Sequence, residues 1–146
     1  MTDLVFVDTN VLVYSRDASE PGKQKQASAW MKHLWSTRTG RLSFQVLQEF
    51  YVTVTAKLKP GLDLETARDD VRLLLAWQPL VIDARITEAA WEAQERFSVS
   101  WWDALIVGAA QVANCRYLLT EDLQEAQQFG NLQVLNPFNS SPAIAP

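Results

Sequence analysis

Four carboxylates, Asp8, Glu49, Asp103 and Asp122, each stand beside an apolar run, where a segment of the chain starts or stops. None has a basic neighbour in sequence. If the fold gathers them, they form an acidic pocket suited to a hard divalent cation. Mg²⁺ in particular is held by a few carboxylates together with water and phosphate oxygens. That is the chemistry of a metal-dependent nuclease or phosphatase. Taken singly, each position has an ordinary reading. Asp8 would serve as a helix N-cap, and Ser100-Trp101-Trp102-Asp103 resembles a capping box with Asp in place of Glu or Gln. Glu49 falls within a helical pattern, and Asp122 suits a turn. Only the set, placed on a common scaffold, argues for catalysis.

The scaffold follows from hydrophobic periodicity. Leu4–Val7 reads as a buried strand, and Asn10–Arg16 as a short helix capped by Asp8 or Asn10. After Glu20-Pro21-Gly22 a helix is predicted to about Thr37, then a short strand at Leu42–Phe44 and a helix over Val46–Leu58. Pro60-Gly61 breaks the chain. Helices are then expected over Leu64–Trp77, from about Thr87 to Phe97, and from Ser100 through Val112. Strands are predicted at Leu80–Ile82, Tyr117–Leu119 and Leu132–Leu135, with a loop or short helix over Glu121–Gln128. Short apolar strands alternating with helices specify an α/β fold, with a parallel sheet covered on both faces. Ligands of such sheets lie beyond the carboxyl ends of the strands. Asp8 ends the first strand and Asp122 follows the fourth, so both are expected on that rim.

The 146 residues suffice for one domain, assigned to residues 1–136, with residues 137–146 a flexible Pro/Ser/Ala-rich tail. No apolar run approaches the ~20 residues of a membrane span. No positive region precedes the first apolar stretch, which argues against a signal peptide. The single Cys115 excludes an internal disulfide and suits the cytoplasm; it is expected on a buried helix face. The net charge of -4 weighs against a protein that merely coats nucleic acid. It is compatible with carboxylates that carry a cation. One His and one Cys cannot build a Cys/His zinc site or supply paired imidazoles, and His33 lies in a helix remote from the acidic positions. Nucleotide-binding glycine motifs, a nucleophile elbow and the acidic pair of a receiver domain are all missing from the sequence. Most of the six tryptophans are expected in the core, with the remainder on a partner surface.

In sum these segments resemble the PIN domain, and most closely its VapC-type toxin ribonucleases. Phe6-Val7-Asp8-Thr9-Asn10-Val11-Leu12 is similar to that family's opening motif, and Ser43 to Phe50, with Glu49, to its second. Trp102-Asp103-Ala104-Leu105-Ile106 with Gly108-Ala109-Ala110 resembles the third, and Tyr117 to Leu123 the fourth. The resemblance spans about residues 4 to 136 in order. It implies a three-layer α/β/α fold with a central parallel sheet of four to five strands. It also implies a Mg²⁺-dependent endoribonuclease, with Mn²⁺ as substitute.

On that resemblance Asp8, Glu49, Asp103 and Asp122 are the catalytic and metal-binding positions, supported by the polar Thr9, Asn10 and Thr120. A homodimer is implied, as is a small antitoxin protein lying over the acidic groove. The alternatives are a PIN-like module that works by binding without useful catalysis, and a DNA-directed nuclease. Trp101-Trp102 is bulky beside a substrate groove; packing under the helix is the favoured reading over stacking an RNA base. Arg16, Lys23, Lys25, Lys57, Lys59 and Arg116 are candidates for phosphate contacts that the sequence does not rank.

Overall fold

Alternating short strands and helices build a five-stranded sheet in the computed structural model, which describes residues 3–142. The order is β1 (Val5–Val7), α1 (Thr9–Tyr14), α2 (Pro21–Thr37), β2 (Gly40–Arg41), α3 (Phe44–Val52) and α4 (Leu64–Leu74). It continues with α5 (Ala84–Phe97), α6 (Trp101–Val112), β3 (Tyr117–Leu119), β4 (Gln128–Phe129) and β5 (Leu132–Leu135). Spatially the strands run β2-β1-β3-β5-β4. β1 pairs in parallel with β2 and β3, and β3 with β5; β4 alone is antiparallel. Phe6, Val7, Leu118, Leu119 and Val134 are wholly buried. Continuous burial along a strand is what helices on both faces of a parallel sheet impose.

Several boundaries depart from the sequence expectation for local reasons. The second strand lies at Gly40–Arg41 rather than 42–44. The strand expected over Leu80–Ile82 shrinks to a single parallel bridge between Ser43 and Leu80. Pro79 cannot donate to a ladder, and Asp83 already caps α5, accepting from the Ile86 N–H at 3.1 Å. That leaves three residues between them, and Val81 is 66% exposed. The same cap starts α5 at Ala84, ahead of the expected Thr87. Where a loop or short helix is expected over Glu121–Gln128, the segment is a loop that ends in β4; Gly130, at φ 65°, turns β4 back onto β5. α3 starts two residues early and gives way to a π-helical turn at Thr53–Lys57. The β-branched run Val52-Thr53-Val54-Thr55 crowds a regular α-turn, and a wider turn relieves it.

Cys115 is buried as expected, but in the α6–β3 connection rather than on a helix; burial pushes its thiol up to about 12. The tryptophan expectation needs correcting further. Trp30 alone is fully buried, whereas Trp35, Trp91 and Trp102 are exposed. The Trp30 indole N–H donates to the carbonyls of Pro137 (3.1 Å) and Ser140 (2.9 Å). Residues 143–146 of the expected tail lie outside the described residues.

α5 and α6 pack closely through Gly108. A Cβ there would stand 2.9 Å from the Ile86 carbonyl oxygen and 3.0 Å from the Ala90 nitrogen, both backbone atoms. A side chain would improve helix propensity by less than ~1 kcal/mol, but overpacking against backbone costs about 1–3 kcal/mol. The second effect wins for a branched residue. Gly108→Val should lower unfolding free energy by about 2 kcal/mol or more, measured by urea denaturation; an unchanged midpoint would contradict this packing.

Candidate active site

Strand register brings the first two site residues together. Val7 of β1 lies beside Leu119 of β3, so Asp8 and Thr120 leave the sheet side by side at its carboxyl edge. The Asp8 N–H donates to the Leu119 carbonyl at 3.1 Å, extending the ladder by one bond. Asp8 also caps α1, its Oδ1 accepting from the Thr9 N–H at 2.7 Å. Capping and site membership are therefore two uses of one side chain. The Thr120 hydroxyl donates to Asp8 Oδ2 at 2.9 Å.

Asn10, in the first turn of α1, ties these groups to the loop after β3. Its Nδ2 donates to Thr120 Oγ1 (2.9 Å) and Asp122 Oδ2 (3.1 Å), with a longer contact to Asp8 Oδ2 (3.4 Å). Its Oδ1 accepts from the Glu121 N–H at 3.3 Å. The Thr9 hydroxyl donates to Glu49 Oε1 at 2.6 Å, fixing a residue forty positions away on α3. Asp103 stands in the first turn of α6, its N–H donating to the capping Ser100 hydroxyl at 3.2 Å. Asp8, Glu49, Asp103 and Asp122 all line one open cavity of about 700 Å³, together with Thr9 and Asn10. Thr120 is buried behind it.

Burial and neighbouring charge shift two of the carboxylates, Asp8 and Asp103. Burial pushes Asp8 up to about 7, opposed by hydrogen bonds from the Thr9 N–H and the Thr120 hydroxyl. The charges of Asp122 and Glu49 raise it further. Asp103 is also raised, chiefly by burial, with the Ser100 hydroxyl opposing and Asp122 and Glu49 adding. Two acids that share the same charged neighbours occupy one electrostatic site. Glu121 lines the cavity too, but Lys23 neutralises it at 2.9 Å. Among the described residues no cation pairs with Asp122. Among the described residues, no three His, Cys, Asp or Glu side chains are grouped closely enough to hold an ion as they stand. The carboxylates instead surround a wider space. That suits an ion that retains waters and takes substrate phosphate as a ligand, more than one caged by protein alone.

The structure also ranks the basic candidates. Arg16 is committed to Asp70 (2.6 Å) and Lys23 to Glu121. Arg116 faces the Asn131 carbonyl. Of the six, only Lys57 lines the cavity, and no carboxylate among the described residues pairs with it. It arrives there at the end of the π-helical turn. Tyr14, Asp17, Gln45, Gln48 and Trp102 also line the cavity, and sequence reasoning did not select them as site residues. Gln45 and Gln48 sit four and one residues before Glu49, a helical spacing that points to the same face only once Glu49 is known to face inward.

A sheet of five mostly parallel strands flanked by helices is the architecture of a PIN domain. The chain belongs to that family, whose model matches residues 5–128. Among solved structures it is similar to a chain of a toxin-antitoxin complex from Klebsiella pneumoniae. The TM-score is 0.59 with 17% identity, covering 91% of this chain and 97% of that one. At that identity the likeness is one of fold. No curated protein matches the sequence.

Proposed function

We propose that this protein is a metal-dependent endoribonuclease and the toxin of a toxin–antitoxin pair. One observation carries the catalytic reading: four carboxylates from four separate segments line one cavity, two of them held by Thr9 and Asn10. Asp8 and Asp103 would hold a Mg²⁺ or Mn²⁺ ion, with Glu49 and Asp122 completing its shell or orienting water. A bound ion of this kind lowers the pKa of the attacking water and neutralises charge on the scissile phosphate. Thr9, Asn10 and Thr120 act by aiming carboxylate oxygens, as hydrogen-bonding partners of metal ligands do elsewhere. Lys57 offers the cavity's free cation to a flanking phosphate. Hydrolysis by water leaves a 5′-phosphate and a 3′-hydroxyl.

The fold shared with a chain of a toxin-antitoxin complex supports a small antitoxin as partner. A cytoplasmic homodimer is part of the same reading. No helix among the described residues is long and apolar enough to cross a membrane. The deciding assay incubates RNA and DNA oligonucleotides with Mg²⁺, Mn²⁺ or EDTA. RNA cleaved only with metal supports the reading. Cleavage of DNA alone indicates a DNA-directed nuclease, and no cleavage in any arm indicates a module that works by binding.

Asn10 gives a narrower prediction. Asn10→Ala removes the donor shared by Thr120 and Asp122 while leaving every carboxylate in place. Loss of such a partner lowers metal affinity or activity roughly 10–100-fold. Titration with Mn²⁺ should restore part of the rate; an unchanged metal dependence would deny Asn10 a positioning role.

A further inference from the structure

Trp102 is the most exposed large aromatic in the described chain, at 62%. Its place makes that exposure informative. It is the second residue of α6, immediately before Asp103, and it lines the acidic cavity with Ile106 one turn further on. Trp101, its neighbour, packs against the core. The pair expected to pack together under the helix is thus divided, one ring inward and one outward. Gln48 and the exposed Val52 of α3 line the same cavity. The backbone carbonyl of Trp102 is contacted by the Gln45 amide at 3.4 Å, which also approaches Glu49 Oε2 at 3.4 Å. The indole is therefore anchored by its backbone to the carboxylate group while its ring stays open.

We propose that the Trp102 ring is a stacking shelf for an unpaired nucleobase next to the scissile phosphate. The inference deepens the nuclease reading and rests on it. An acidic cavity repels a phosphate until a cation is present, but the face of a neutral base carries no such penalty. Stacking on an indole is tolerant of base identity and requires a base free of its own stack. A shelf adjoining Asp103 would hold the chain while the phosphate reaches the carboxylates. Lys57, lining the same cavity, would take a phosphate further along the strand.

The test compares wild type, Trp102→Ala and Trp102→Phe as full chains on a single-stranded RNA, with the same sequence annealed to its complement as control. Removing a base–aromatic stack should raise KM roughly 5- to 100-fold with kcat little changed. Phe should recover much of the loss, and thermal melting should be unaltered because the ring is exposed. On the duplex the three proteins should be equally poor. If wild type cleaves and Trp102→Ala shows the same KM, the shelf is refuted. A changed oligomeric state on gel filtration with unchanged KM would reassign the ring to a protein contact and refute it equally. Should wild type cleave nothing, the nuclease reading fails by itself. Quenching of the fluorescence difference between wild type and Trp102→Phe by a short oligouridylate in Mg²⁺, which such a protein leaves intact, then decides stacking alone: its presence sustains the shelf, its absence overturns it.

Discussion

Asp8→Asn and Asp103→Asn should each abolish metal-dependent cleavage, lowering kcat/KM by at least about 10³-fold, or ~4 kcal/mol of transition-state stabilisation. The substitutions change charge rather than shape. Asn retains an oxygen where Asp8 accepts from the Thr9 N–H, so the α1 cap survives. At position 103 the backbone N–H, not the carboxylate, donates to Ser100, so the α6 cap also survives. What is lost is an anionic oxygen ligand for a divalent ion. The pair of variants should melt cooperatively and elute like wild type while failing to cleave. Cleavage at the wild-type rate in both would remove these residues from the chemistry.

The second large effect concerns stability without metal. Asp8 titrates near 7 in the folded protein against an ordinary 3.8. Between those values the folded state holds a proton that the unfolded chain has released. Stability must therefore fall as pH rises through this window. The contribution is fully present below about 3.8 and lost above about 7, where ionised, buried Asp8 opposes folding. Full loss is of the order of 4 kcal/mol as an upper bound. Asp103 is shifted in the same direction. Asp63 and Asp83 are lowered by hydrogen bonds at their helix caps, so their effect falls below 3.8, outside the window.

In EDTA, wild type should consequently melt higher at about pH 5 than at about pH 8. Asp8→Asn should stabilise the protein at the higher pH and flatten the dependence. An Asn amide facing the Asn10 amide forfeits part of the gain, which leaves about 2 kcal/mol. Mg²⁺ or Mn²⁺ should stabilise wild type at the higher pH and leave Asp8→Asn nearly unaffected. Equal melting temperatures for the two proteins in EDTA at both pH values would show that Asp8 carries no burial penalty.

Much of this was written locally in the chain. The strands at Val5–Val7, Tyr117–Leu119 and Leu132–Leu135 are short apolar runs bounded by polar residues, and Ser100 and the apolar spacing marked the helices. Those signals act within a few residues, so sequence carries them whole. Asp8, Asp103 and Asp122 were legible because each sits at or near such a boundary, whereas Glu49, inside α3, carries no such local mark. The strand expected at Leu80–Ile82 failed because its pairing depends on an edge partner that offers one bridge only. β4 exists through its turn onto β5, a two-residue contact too short to leave a periodic signal.

What tertiary structure decided was adjacency and exposure. Beta register set Asp8 against Thr120 across more than a hundred residues, and Thr9 met Glu49 across forty. Glu121 and Asp122 are equivalent in sequence until Lys23 neutralises one and Asn10 holds the other. Lys57 and Trp102 became part of the site because a π-helical turn and the outward face of α6 delivered them to the cavity. Local propensity fixes which residues begin a helix or end a strand. Which side chains then meet, and which face water, depends on long-range packing that no short stretch of chain encodes.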